Sequence, residues 1–248
     1  EIKDNIISNI AKRFNLFHIE HKKNIGGRFS VLSEVGLVPA YLMGINIEKL
    51  RKNIKKNFDL KEKKFLKDSC VKLACILIKK KYSNLIFLNY EPKLKKFFSW
   101  CQQLIAESLG KKGKGFLPFV SNVPKDHHSL LQLYLDGPKN NFFHIFSVQS
   151  KSDIKLKSKK YSKKLAYLHK KKLSVIKFVQ KDALRKALVK NKISFREFKI
   201  KNLNEEMLSE LFTYFILETI IVGNLIKINP FTQPSVEQVK YFTQKSLN

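Results

Sequence analysis

Short apolar runs alternate along this chain with longer segments in which apolar residues recur every three or four positions. The runs lie at 84–89, 144–148, 174–179 and 194–200, and the helical spacing marks 5–13, 64–81, 93–109, 160–171, 181–190 and 205–226. Strands separated by helices cannot pair through tight hairpins, so they form a parallel sheet with helices on both faces. We therefore predict an α/β fold built as a three-layer, parallel-sheet domain.

Charge and size limit the classes of function. The 248 residues are 44% hydrophobic, which excludes a mainly disordered chain. The formal net charge of +29 raises nucleic acid or an anionic membrane as partners, but only five of the 49 basic residues are arginine. Because base and phosphate recognition favours the arginine fork, we interpret the excess as general lysine enrichment and expect no specific nucleic-acid partner.

The remaining composition points to the cytoplasm. Three cysteines, Cys70, Cys75 and Cys101, suggest neither a disulfide framework nor a zinc ribbon. The apolar stretch from Leu211 to Ile226 is shorter than a bilayer span and carries a glutamate, so we predict a buried helix and no membrane partner. The chain starts at Glu1 in a polar, helix-like segment, so we expect no signal peptide and a missing natural start.

A carboxylate, Glu107, ends the predicted helix 93–109 and precedes a glycine-rich turn. Ligands of open parallel sheets bind at the carboxyl ends of the strands, and we expect Glu107 to project into such a crevice as a base. The alternative is an ordinary surface acid near a helix end capped by Gly110 in the left-handed conformation. The turn itself, 110–115, lacks the Walker spacing, so no nucleotide role is predicted.

Three other positions are candidates for chemistry. His128 heads an apolar stretch, where a helix N-terminus would disfavour its protonated form and keep the ring available as a base. Gln233 and Lys240 are seven residues apart and could face one pocket from successive helical turns, or lie on a solvated helix. His18 and His21 have metal-like spacing but lack the third ligand of a catalytic zinc site, so no metal site is predicted.

Taken together, four motifs resemble the glucose-6-phosphate isomerase family, in the same order along the chain. They are Gly26-Gly27-Arg28-Phe29-Ser30, Glu107-Ser108-Leu109-Gly110-Lys111, His128 with Gln132, and Gln233-Pro234-Ser235-Val236-Glu237 with Lys240. The resemblance implies a sugar-isomerase (SIS-type) fold. One departure is Ser235, where the family usually has glycine.

The resemblance also implies an activity and a role for each residue. Glucose 6-phosphate and fructose 6-phosphate would interconvert through a cis-enediol, without a metal or an organic cofactor. Glu107 would move the proton between C1 and C2, Arg28 would neutralise charge on the enediol, and His128 with Lys240 would open the sugar ring. The same resemblance makes Gln103, Gln233 and Gly27 substrate-binding residues, and it implies a homodimer in which His128 comes from the neighbouring subunit.

The family's two-domain layout implies how the chain is divided. Residues 1–43 would end a first SIS-type domain, 44–226 would form the second, and 227–248 would be a C-terminal active-site segment and helix. The family's phosphate-binding loop has no counterpart in this sequence, so we expect an N-terminally truncated chain with low or no activity alone. Two alternatives stay open: a non-catalytic SIS-type domain that binds sugar phosphates, and a lysine-driven nucleic-acid-binding module whose affinity would fall with salt.

Overall fold

The structure is a computed structural model that describes residues 5–54, 58, 64–149, 154–157 and 163–247. Its contacts divide the chain after Ala74 and again after Leu203. We call Cys75–Leu203 the continuous unit, and the residues before and after it the split unit. These boundaries differ from the predicted ones at 43/44 and 226/227, and the division into SIS-type domains stays a prediction.

In chain order, the helices are α1 (Ile6–Arg13), α2 (Glu34–Leu42), α3 (Ile47–Lys52), α4 (Lys64–Ile78), α5 (Lys95–Leu109), α6 (His127–Asp136), α7 (Leu173–Lys190), α8 (Glu205–Leu225) and α9 (Pro234–Leu247). The strands are β1 (Asn84–Asn89), β2 (Leu117–Asn122), β3 (Asn141–Val148) and β4 (Phe195–Ile200). Short 3-10 helices occupy Gly27–Leu32, Pro92–Leu94 and Lys163–Leu168.

The four strands form one sheet in the order β2-β1-β3-β4, and every neighbouring pair is parallel. The chain moves outward from β1 to β2 and then returns past β1 to β3, so the direction of winding reverses between β1 and β3. The predicted α/β class with a parallel sheet is confirmed. Its topological switch point lies at the carboxyl ends of β1 and β3.

Helices cover both faces of this sheet. On one face, Leu88 and Ile145 pack in a buried cluster with Tyr134 of α6 and Leu184 of α7. Residues of the same strands alternate between faces. On the other face, Phe146 of β3 lies 4.8 Å, between ring centroids, from Phe98 of α5. The sheet is therefore the middle of three layers.

Two predictions of secondary structure were wrong. The run 174–179, predicted as a strand, is the start of α7, because burial of Lys181, Leu184 and Leu188 along one helical face overrides the β-branched residues before them. Strand β2 was not predicted, since Pro118 interrupts its sequence pattern. Proline is tolerated there because β2 lies at the edge of the sheet.

Two predicted segments fall partly outside the described residues. The predicted helix 160–171 is described only from 163 onward, where Lys163–Leu168 is a 3-10 helix. The predicted second domain, 44–226, falls partly outside as well, because residues 55–57, 59–63, 150–153 and 158–162 are not described.

The described secondary structure of the split unit is helical, and α8 is its longest element. The predicted helix over 205–226 is confirmed, and Leu211, Phe215 and Val222 are buried in it. Among the described residues, α8 alone is long and apolar enough to span a membrane, a property that buried core helices share. Its buried carboxylate, Glu218, accepts hydrogen bonds from the hydroxyls of Ser69 and Tyr214.

Candidate active site

The split unit holds Arg28 in a fixed position. Its side chain is 4% exposed, and it begins in the 3-10 helix that follows the double glycine. The guanidinium donates from Nη1 to Oε1 of Gln233 at 2.7 Å, and from Nη2 to the carbonyls of Pro230 at 2.7 Å and Thr232 at 3.2 Å. The structure therefore brings together two of the predicted site residues, Arg28 and Gln233.

The two glycines before Arg28 are not required by the fold of the described chain. Gly26 has a φ of −70°, which any residue adopts. A Cβ added to Gly26 or Gly27 would meet no atom of the described residues within 4 Å. Open space beside these backbones is what close approach of a ligand would need. Ser30 steadies the segment by donating to the carbonyl of Gly27 at 2.7 Å.

Among the described residues, Lys240 makes no hydrogen bond to Arg28 or Gln233. It lies on α9, whose described residues are all exposed, and its Nζ is 2.8 Å from Oε1 of Glu237 on the same helix. Gln233 precedes the first residue of α9, so Gln233 and Lys240 do not lie on successive turns of one helix. An exposed ion pair of this kind contributes little to stability, so the Lys240 ammonium can leave it at little cost in free energy.

In the continuous unit, Glu107 and Gln103 are neighbours on α5. Gln103 donates from Nε2 to Oε1 of Glu107 at 3.0 Å, one helical turn away. Glu107 is half-buried and Gln103 is exposed. The amide of Gln103 therefore holds one carboxylate oxygen of Glu107.

The loop after Glu107 depends on two glycines. Gly110 ends α5 with a φ of −75°, so it is not the left-handed cap considered in the sequence. Gly115 has a φ of +116°, and a Cβ there would lie 2.8 Å from Cα of Gly110. The loop therefore closes tightly on the helix end that carries Glu107.

His128 and its neighbour His127 form the first turn of α6. His128 is exposed. His127 is half-buried, and its Nε2 lies 2.9 Å from the hydroxyl of Tyr90, which is fully buried. Burial lowers the pKa of His127 and raises that of Tyr90. Sequence reasoning missed this contact because Tyr90 lies 37 residues away.

Glu107 and His128 lie near opposite ends of the strands within one chain. Helix α5 starts beyond the carboxyl end of β1 and returns to the amino end of β2, where Gln102 donates to the carbonyl of Pro118. His128 follows the carboxyl end of β2. A six-residue strand separates its two ends by about 20 Å. The expectation that Glu107 projects into the carboxyl-end crevice was therefore wrong.

The metal-like spacing of His18 and His21 does not produce a cluster. His21 contacts the carbonyl of Ile25 through Nε2 at 3.0 Å, and its Nδ1 is 3.6 Å from Glu34. Over the part of the chain that the structure describes, no group of three or more His, Cys, Asp or Glu could hold a metal ion.

Fold and motifs together define a sugar-isomerase type of α/β protein, and curated sequences identify the family. The chain is 36% identical to glucose-6-phosphate isomerase of Mycoplasmopsis synoviae over 238 residues, which are 93% of the chain and 55% of that protein. It is 37% identical over 227 residues to the Mycoplasmopsis pulmonis isomerase, with 88% and 52% covered. The chain belongs to the glucose-6-phosphate isomerase family and spans about half the length of these relatives.

No protein-family model matches the chain. Two solved structures share its fold. A hypothetical protein from Thermus thermophilus superposes with a TM-score of 0.86 at 26% identity, covering 99% of the chain and 61% of that structure. Glucose-6-phosphate isomerase from Chlamydia trachomatis superposes with a TM-score of 0.69 at 16% identity, covering 94% and 48%, and this likeness shows the fold alone.

Proposed function

We propose that this chain supplies catalytic residues of a glucose-6-phosphate isomerase, an aldose-ketose isomerase that interconverts glucose 6-phosphate and fructose 6-phosphate in glycolysis and gluconeogenesis. The proposal rests on relatives with that name and on the motif residues described above. We expect a cytoplasmic homodimer that acts on a sugar phosphate without a metal or an organic cofactor.

Glu107 is proposed as the base. Moving a proton between C1 and C2 requires one group that removes the proton and returns it, and a single carboxylate does both. The hydrogen bond from Gln103 fixes one oxygen of Glu107 and leaves the carboxylate oriented in advance of substrate. Orientation of this kind is a major contribution to enzymatic rates.

Arg28 is proposed to stabilise the negative charge of the enediol. Its guanidinium is permanently charged, and its contacts with Gln233 and two backbone carbonyls hold it in place before substrate arrives. A fixed cation costs no reorganisation when charge develops in the reaction. Gln233 and Gly27 flank it, and we propose both as substrate-binding residues.

His128 and Lys240 are proposed to open the sugar ring by exchanging protons with the ring oxygen and the C1 hydroxyl. Both side chains are exposed. Exposure suits groups that complete a site only when substrate or a partner surface is present.

The opposite positions of Glu107 and His128 carry the proposal of a dimer. One sugar cannot reach both residues of the same chain, because the length of the sheet separates them. If both act on one substrate, one of them comes from a second copy. A two-fold dimer supplies two such composite sites.

A complementation experiment tests this proposal. Each variant is made in the 248-residue chain joined to the part of the Mycoplasmopsis synoviae isomerase that the chain does not match. We expect Glu107→Gln and His128→Ala homodimers to be inactive with fructose 6-phosphate. Coexpressed in equal amounts, they should regain about a quarter of the parent activity, because half the dimers are mixed and each mixed dimer has one intact site.

Control variants and three possible outcomes test the role of Glu107, the role of His128 and the non-catalytic alternative. Glu48→Gln removes an exposed carboxylate on α3 and should keep full activity. If Glu107→Gln keeps more than a few per cent of turnover, Glu107 is not the base. If the mixed sample stays inactive while both variants dimerise, His128 does not act across the interface. An inactive parent that still binds fructose 6-phosphate would favour the non-catalytic sugar-phosphate-binding domain.

A further inference from the structure

A cavity that the isomerase proposal does not use opens in the continuous unit. Its volume is about 890 Å³, within the range of pockets for small molecules. It lies beside the carboxyl ends of β3 and β4, against one side of α7, and Tyr90 lines it from the end of β1. Glu107 lies toward the amino ends of the strands and does not line the cavity, so the cavity is separate from that residue.

The cavity is strongly cationic. Five basic side chains line it against two carboxylates, Asp182 and Glu197. The basic residues are Lys177, Lys181, Arg185, Lys199 and Lys201. Three come from one side of α7, at intervals of four residues, and two come from the end of β4 and the residue after it. A pocket with this surplus of positive charge attracts a dianion better than a neutral ligand.

Lys181 makes the site more than a group of surface lysines. It is 4% exposed, and its Nζ donates to Oε1 of Glu197 at 2.6 Å. An ammonium group has three donors, and among the described residues Glu197 is the only hydrogen-bond acceptor of Lys181. Lys181 lines the cavity, and its Nζ lies 5.1 Å from the centroid of the Phe178 ring, so the ammonium and the ring stand side by side in the lining.

One wall of the cavity is apolar. Phe178 lines the cavity and is 62% exposed, with Val175 beside it on α7. An exposed ring next to a set of cations provides a surface on which a flat heterocycle stacks. The charged and aromatic parts together select a ligand that carries both a phosphate and a ring.

We propose that this cavity is a binding site for a nucleoside monophosphate. The phosphate lies among Lys181, Arg185 and Lys201, and the base packs on Phe178. The site is independent of the isomerase residues, so binding there does not require the proposed function to be correct.

Calorimetric titration of the 248-residue chain tests the site, with adenosine 5′-monophosphate, adenosine and inorganic phosphate as probes. We expect the monophosphate to bind at least about tenfold more tightly than either part alone. Lys201→Gln and Arg185→Gln should each weaken its binding about tenfold. Phe178→Ala should bring its affinity close to that of inorganic phosphate. Lys190→Gln, an exposed lysine at the far end of α7, should change nothing.

Melting temperatures of all variants check that they fold. The proposal is overturned if the monophosphate does not bind, if it binds no more tightly than inorganic phosphate, or if Lys201→Gln and Arg185→Gln leave its affinity unchanged. Equal weakening by Lys190→Gln would also overturn it, since that result shows attraction to net charge alone.

Discussion

Arg28 and Gln233 are joined by a 2.7 Å hydrogen bond although 205 positions separate them in the sequence. The same guanidinium binds the carbonyls of Pro230 and Thr232, so it fastens the Gly-Gly-Arg segment to the residues that lead into α9. Phe29 and Phe231 pack beside this junction, with 5.2 Å between ring centroids. A residue proposed for catalysis is therefore also a structural link within the split unit.

Replacing Arg28 should destabilise the protein as well as inactivate it. In Arg28→Met, one buried and one partly buried hydrogen bond to a carbonyl and one to an amide are lost, and we expect the free energy of unfolding to fall by about 2–4 kcal/mol. Arg51→Met, at an exposed arginine on α3, should stay within about 0.5 kcal/mol of the parent. Urea unfolding of both variants measures the difference, and equal effects would contradict the structural role.

The loop behind Glu107 offers a matched pair of glycines. Both Gly113 and Gly115 have positive φ, of +68° and +116°, but only at Gly115 would a Cβ meet backbone, 2.8 Å from Cα of Gly110. Gly113→Ala should cost about 1 kcal/mol of unfolding free energy. Gly115→Ala should cost more than about 2 kcal/mol. Thermal unfolding compares them, and similar losses would show that the loop has room to adjust.

The buried carboxylate of α8 should be sensitive to its hydroxyl partners. Ser69 donates to Oε1 of Glu218 at 3.0 Å, and Tyr214 donates to the same atom at 2.8 Å. We expect Ser69→Ala or Tyr214→Phe to lower the unfolding free energy by about 1–3 kcal/mol, because a buried acceptor loses a donor. Ser99→Ala, at an exposed serine of α5, is the control. Chemical unfolding that shows no difference between Ser69→Ala and Ser99→Ala would exclude this contribution.

His144 should make stability depend on pH. It is fully buried in β3, where burial first and the nearby Arg196 second hold its pKa well below the usual 6.5. The folded protein therefore keeps His144 neutral at pH values where the unfolded chain binds a proton. Stability should fall as the pH drops below about 6.5, by up to about 1.4 kcal/mol per pH unit from this residue.

A variant separates His144 from other titrating groups. The side chain of Gln in His144→Gln can still accept the hydrogen bond that Arg196 donates from Nε at 2.8 Å, but it does not titrate. Urea unfolding at pH 7.5, 6.5 and 5.5 should show a shallower decline for His144→Gln than for the parent. His128→Gln, at an exposed histidine, should follow the parent. Identical slopes in all three proteins would exclude His144 as the source.

Much of the fold follows from the sequence because its central strand and longest helix have strong patterns. The run 84–89 is β1, and the long apolar segment is α8, as predicted. Strand β2 was missed because its position at the sheet edge, which makes Pro118 acceptable, is a property of the tertiary fold. The start of α7 was misassigned for a related reason, since its residues favour strand until the burial of Leu184 and Leu188 is known.

The candidate site was predictable as residue types but not as an arrangement. The hydrogen bond between Gln103 and Glu107 was not predicted, although residues one helical turn apart are neighbours on a helix. The contact between Tyr90 and His127 forms because the residue after β1 and the start of α6 lie side by side in the folded protein. Neither sequence segment alone predicts that proximity. The separation of Glu107 from His128 depends on how α5 runs relative to the strands. The short motifs around these two residues do not predict that orientation.

The bond between Arg28 and Pro230 has a consequence for the order of events during synthesis. These residues are 202 positions apart, so nearly the whole chain must leave the ribosome before Arg28 can form this hydrogen bond. The residues of the continuous unit emerge earlier, between the two parts of the split unit. During translation the parallel sheet should therefore form first, while the Arg28 side chain is still hydrated and has not met its hydrogen-bond acceptors.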